Sequence, residues 1–101
     1  MRIIVILSPT GKRGTKCEYT KLRKALSADG FINLNADVYM RVATGNKGAE
    51  KHFRRLESVA PKSGTVRAFT LTEKQYARIH YASGAPDLQE KIVGANCHIA
   101  L

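Results

Sequence analysis

Tryptophan is absent, and four tyrosines and three phenylalanines are the only aromatic residues. The chain therefore offers no obvious stacking platform for bases or sugar rings. Cysteine is nearly absent too. Cys17 and Cys97 are too few for the disulfide framework on which small secreted domains depend, and a cytoplasmic protein is expected. No apolar run is longer than Ile3 to Leu7, which is too short for a bilayer span or a signal peptide. Acidic residues are scarce as well: 8 Asp and Glu face 17 Lys and Arg, for a net charge of +9. In 101 residues that excess points to a polyanionic partner, and nucleic acid is the commonest one.

What is present reads as one small globular domain, with 44% hydrophobic and 25% charged residues. The basic groups crowd near the start: residues 1–29 carry seven of them against Glu18 and Asp29 alone. Arg2 to Leu7 reads as a strand, rich in β-branched residues and ended by Ser8-Pro9. It does not alternate, so both of its faces are expected to be buried. After the loop Ser8 to Gly14, Thr15 and Glu18 have the spacing of a capping box. Tyr19, Leu22 and Leu26 then recur at helical spacing, and Asp29-Gly30 ends the helix.

Phe31 to Leu34 and Asp37 to Val42 read as two short strands around Asn35-Ala36. In the second, Val38, Met40 and Val42 share one face, and Tyr39 and Arg41 the other. Thr44-Gly45-Asn46 opens a second helix with Ala49, Phe53, Leu56 and Ala60 inward, stopped by Pro61. Thr65 to Leu71 reads as a fourth strand. Thr72 and Gln75 form a second capping box, starting a short helix through Ile79. The order strand, helix, strand, strand, helix, strand predicts an α+β fold, the ferredoxin-like βαββαβ sandwich with both helices on one face of an antiparallel sheet.

Residues 1–80 make that domain, and residues 81–101 a tail or strand expected to contact a partner chain. So short a chain cannot supply a second layer after four strands and two helices, so the doubly buried first strand predicts a sheet-to-sheet homodimer. Its interface is expected to hold Ile4, Ile6, Tyr39 and Arg41, with the tail's Ile99-Ala100-Leu101 able to add a strand to the partner's sheet edge.

Other chemical signals are weak. Gly11 to Lys16 fails the phosphate-loop pattern, because Thr15 precedes Lys16 after Gly14. A glycine-containing turn that feeds a helix N-terminus among Lys12, Arg13 and Lys16 still suits a phosphate contact. With the second helix, the expected DNA contacts are Lys12, Arg13, Lys16, Lys47, Lys51, Arg54 and Arg55. Cys97-His98, His52 and His80 lack zinc spacing, and Ser8, Cys17 and Cys97 lack an identifiable base. No catalytic residue and no metal ligand is assigned.

Met1 to Val5, Asp29-Gly30-Phe31-Ile32, Val38 to Arg41, and Val66-Arg67 followed by Thr72 to Tyr76 together resemble the small CRISPR-associated protein 2 family, particularly its type II form. The resemblance covers residues 1–80. It implies a ferredoxin-like homodimer at the centre of the spacer-acquisition complex of antiviral defence. There it bridges dimers of the integrase CRISPR-associated protein 1 and holds double-stranded DNA. Many relatives end the first strand with an Asp proposed to bind Mg²⁺ for endonuclease activity; here that position is Ser8. The nearest other carboxylate by topology is Asp37. The resulting expectation is a scaffold without its own catalysis and without a cofactor, Mg²⁺ entering only if a nuclease reading holds. The rivals are that metal-dependent endonuclease, on DNA or RNA, and a ferredoxin-like RNA-binding module.

Overall fold

A computed structural model describes residues 1–9 and 15–84. The elements run β1 (Arg2–Ser8), α1 (Thr15–Ala28), β2 (Ile32–Asn35), β3 (Val38–Val42), α2 (Gly45–Val59), β4 (Thr65–Leu71) and α3 (Glu73–Tyr76). The four strands form one antiparallel sheet in the order β2-β3-β1-β4, which is the expected ferredoxin-like arrangement. β1 occupies the centre because it has two long partners. Ile4, for example, lies opposite Met40 on β3 and Phe69 on β4.

Strand alternation divides the sheet's residues between its faces. Ile3, Val5 and Leu7 join Tyr19, Leu22 and Leu26 of α1 and Ala49 and Leu56 of α2 in a single core. Ile3 and Val5 are fully buried, so both helices cover this face. Arg2, Ile4 and Ile6 point the other way, beside Met40 and Val38 on β3 and Phe69 and Arg67 on β4.

The ends of α1 show how local sequence sets boundaries. Phe31 N–H donates to the Leu26 carbonyl and Gly30 N–H to that of Ser27, the paired bonds of a Schellman ending. Gly30 sits at φ +90°, and a Cβ there would overlap the Arg41 guanidinium. At its other end α1 begins at Thr15 itself rather than after it, and residues 10–14 lie outside the described residues. The Thr72 capping box forms as expected: Thr72 Oγ1 accepts from Gln75 N–H at 3.1 Å, and Gln75 Oε1 from Thr72 N–H at 2.9 Å. The helix it starts ends at Tyr76, and the chain continues to Ile79 only as turns.

The second face of β1 departs from expectation. Ile4 is 7% exposed and Met40 fully buried within a single chain. α3 lies on that side, because the buried Arg2 donates from Nε to Glu73 Oε2 at 2.9 Å and stacks 3.9 Å above the Tyr76 ring. One chain thus supplies part of the cover that the sequence alone assigned to a second copy. Ile6 and Val38 remain half-buried, and Phe69 is exposed.

Candidate nucleic-acid interface

The expected DNA-contacting residues fall into separate places. Lys12 and Arg13 lie outside the described residues. Lys16 is exposed in the first turn of α1. Lys47, Lys51 and Arg54 are exposed on α2, where spacings of four and three residues put them on one stripe. α1 follows β1 and α2 follows β3, and these strands are antiparallel. Lys16 and the α2 stripe therefore start from opposite ends of the helix layer. None of the four enters an ion pair among the described residues.

Arg55 is different. Its guanidinium is bonded to Asp29 Oδ1, which takes it out of the set of unpaired cations. Asp29 in turn anchors a network that sequence reading missed. Its Oδ2 lies 2.6 Å from His52 Nδ1, and His52 Nε2 accepts from Arg41 Nε at 2.9 Å. Arg41 also donates to the Asp29 backbone carbonyl. An acceptor role at Nε2 places the ring proton on Nδ1, facing the carboxylate. Burial pushes the Asp29 carboxyl up, but the hydrogen bonds from His52 and Arg55 prevail and hold it below its ordinary range. Both imidazole nitrogens are engaged, so His52 has no lone pair free to act as a base.

This network corrects half of the expected dimer interface. Arg41 reaches under the helices to His52, and Tyr39, 4% exposed, belongs to the helix-side core. Only Ile4 and Ile6 of the four residues lie on the far face of the sheet. Val38, Met40 and Val42 make the more apolar face of β3, yet the structure turns Tyr39 and Arg41 to the helices, because Arg41 finds His52 and Asp29 there. The tail residues named for strand exchange lie outside the described residues.

At the strand end, Ser8 is half-buried and sits opposite Thr65. Gly64, at φ +75°, leaves no room for a Cβ between the Tyr19 hydroxyl and the Ser8 carbonyl, while Tyr19 Oη donates to the Ser63 carbonyl at 2.9 Å. Asp37 does reach the same end of the sheet, since Leu7 N–H donates to its carbonyl at 2.8 Å. Its carboxylate is taken by Arg23, with Nη2 2.7 Å from Oδ1. That hydrogen bond raises the Arg23 guanidinium further above its ordinary value. Among the described residues no three His, Cys, Asp or Glu side chains gather as a metal site would need. None of the helices among them is long and apolar enough to cross a membrane.

Fold and surface together define a small, strongly basic α+β protein of ferredoxin-like topology. Residues 14–79 match the family described as CRISPR associated protein Cas2, and the chain belongs to that family. A relative from Acidovorax ebreus is 38% identical over 96 residues, covering 94% of each chain. One from Ligilactobacillus salivarius is 40% identical over 85 residues, 83% of this chain and 84% of its own. One from Streptococcus mutans is 35% identical over 88 residues, 86% and 81% respectively. All three carry the name CRISPR-associated endoribonuclease Cas2. The resemblance implies Mg²⁺ for a nuclease of this family. Ser8 offers a neutral hydroxyl and Asp37 a carboxylate already bound to Arg23, a poor donor set for an ion that relies on carboxylate oxygens. No cleavage step follows from these residues.

Proposed function

We propose that this protein is a double-stranded-DNA-binding scaffold of CRISPR spacer acquisition. It works as a homodimer that bridges integrase dimers and leaves the chemistry to them. The observation that carries the reading is the charge left over after internal pairing. Asp29, Asp37 and Glu73 are each held by arginine within the fold, whereas Lys16, Lys47, Lys51 and Arg54 stand exposed. Lysines and arginines so placed bind phosphates by position and read no sequence, so affinity is expected to be similar for unrelated duplexes. Ile4, Ile6, Val38 and Phe69 supply an apolar far face on which a second copy fits, and Ile6, Val38 and Phe69 keep exposed area there.

Duplex titration over a range of salt tests this. If about six phosphates are neutralised per bound dimer, log K falls against log[salt] with a slope near −5, each contact giving about −0.9. Salt-insensitive binding, or none, refutes it. The relatives' name favours a second reading, an endoribonuclease. Incubation of RNA and DNA with Mg²⁺ or Mn²⁺ separates the two: the scaffold reading expects no stimulated cleavage. Metal-dependent cleavage lost in Asp37→Ala would establish the nuclease instead.

A further inference from the structure

An open groove of about 380 Å³ runs between the later turns of α1 and α2, on the helix layer and away from the strand end. Its walls are Ala25 and Ala28 on α1 and Leu56 and Val59 on α2, with Phe31 also lining it. The volume is at the small end of the range for pockets that take a ligand-sized group. Val59 is 41% exposed and extends the groove's apolar wall to the surface. At the polar end stand Asp29, His52 and Arg55.

The charges around the groove decide what fits it. Lys21 lies one turn before Ala25 on the same stripe of α1, and Lys51 one turn before Arg55 on α2, both exposed. The groove's own carboxylate, Asp29, is spent on His52 and Arg55. Glu50 and Glu57, a full seven residues apart, fall on the opposite flank of α2, and Glu18 is two turns away from Ala25 on α1. A cationic rim around an apolar trough calls for an anionic occupant that also brings an apolar group. Duplex phosphate would gain nothing from walls of alanine, leucine and valine. A second copy of this chain has its own apolar seat on the far face of the sheet, beside Ile4, Ile6, Val38 and Phe69.

We propose that the α1–α2 groove docks an acidic segment of a partner protein, one bulky apolar side chain entering between Ala28 and Val59 while flanking carboxylates meet Lys21, Lys51 and the outer edge of Arg55. This surface is separate from the far face of the sheet, and the inference stands whether or not the protein binds DNA.

The test is a titration of the full chain, methyl-labelled at alanine and valine, followed by NMR. The probe is a five-residue peptide with a central leucine between paired glutamates. Saturating shifts at the Ala25, Ala28 and Val59 methyls are expected. They should weaken at least about tenfold when the leucine becomes alanine, the loss that goes with one buried aliphatic side chain. Val59→Glu, at an exposed rim position, should abolish the shifts at Ala25 and Ala28 without changing the thermal unfolding of the protein. Absence of saturating shifts at millimolar peptide overturns the proposal. So does an equal response to a peptide with lysines in place of the glutamates, or the same methyl shifts on adding a DNA duplex.

Discussion

Removal of the Asp29 carboxylate tests whether the buried network holds α1, α2 and β3 together. Asp29→Ala deletes two charged hydrogen bonds, to His52 and to Arg55, and leaves the buried His52 Nδ1–H without its acceptor. The two bonds differ in worth. Asp29 and His52 side chains are 17% and 8% exposed, whereas that of Arg55 is 52% exposed. The Arg55 pair is therefore screened by water and contributes about 0–1 kcal/mol. The His52 bond carries most of the effect, about 1.5–3 kcal/mol for a hydrogen bond to a charged group. Against this, a carboxylate just past a helix C-terminus opposes the helix dipole, and its removal returns about 0.3–1 kcal/mol. The net loss is about 2 kcal/mol, which in a domain of this size lowers Tm by roughly 8–16 °C.

Thermal melts of wild type, Asp29→Ala and Asp29→Asn check the figure at pH 7 and then on a descending pH series. Asn keeps an acceptor for His52 but no charge, so it should fall between the other two. The folded pKa of Asp29 is depressed, so its charge stabilises the fold above the unfolded value of about 3.9. That contribution is lost as pH drops through the folded value. The gap between wild type and Asp29→Ala should thus be full at pH 5 and above, and narrow below about pH 4. A Tm change of under about 3 °C at pH 7, or a gap that ignores acid, would show that the network is surface ornament in energetic terms.

Gly30→Ala should destabilise by about 1–3 kcal/mol in a urea titration, since it puts a side chain at φ +90° and against the Arg41 guanidinium. Replacing Lys47, Lys51 and Arg54 together with Ala should flatten the salt slope of duplex binding by about 0.9 for each lost contact, about 3 units if one protomer's stripe meets the duplex and about 5 if both do, with the melting curve unchanged. Ile4→Asp places a charge at a 7% exposed position on the far face of the sheet and should cost several kcal/mol, with loss of dimer or of fold. Sedimentation of wild type as a monomer at micromolar concentration would remove the dimer from that account. Thr72→Ala removes one half of the α3 capping box and should cost about 1 kcal/mol, read from the same urea titration.

Where the physics is local, the sequence was readable. Five consecutive apolar residues in β1 announced a strand buried on both sides, Asp29-Gly30 a left-handed helix ending, and Thr72 with Gln75 a reciprocal cap; each depends only on residues within a few positions. Two kinds of feature were not readable. One was phase: apolarity favoured Val38 with Met40 as the inner face of β3, and the fold instead turns Tyr39 with Arg41 to the helices. Only packing of the helices chooses between them. The other was polar residues buried by distant partners. His52 occupies a core position of α2 because Asp29 and Arg41, 23 and 11 residues away, satisfy both of its nitrogens. Arg2 is buried because Glu73 and Tyr76 return to it from the far end of the fold. A lone histidine and an arginine at the second position carry no local mark of either arrangement.

The same distinction sorts the cations. Formal charge treats the 17 basic residues alike, but the fold does not. Arg2, Arg23 and Arg41 turn inward to a carboxylate, a carbonyl or a ring, and Arg55 pairs with Asp29 from the surface, whereas Arg54, Arg67 and Arg78 stay exposed with Lys16, Lys21, Lys24, Lys47, Lys51, Lys62 and Lys74. The guanidinium's flat fork satisfies several acceptors at once and is weakly hydrated, so it suits partly buried pairing. The ammonium is strongly hydrated and stays in water. Arginine pairing also consumes Asp29, Asp37 and Glu73, which leaves Glu18, Glu50 and Glu57 as the exposed acids among the described residues. At the helix layer Lys16, Lys21, Lys24, Lys47, Lys51 and Arg54 still face Glu18, Glu50 and Glu57, about the same two-to-one balance as the composition. An Arg23→Lys change, conservative in charge, should weaken the hold on Asp37 and free that carboxylate. It would reduce duplex affinity without removing a single positive charge, an outcome that net charge alone does not anticipate.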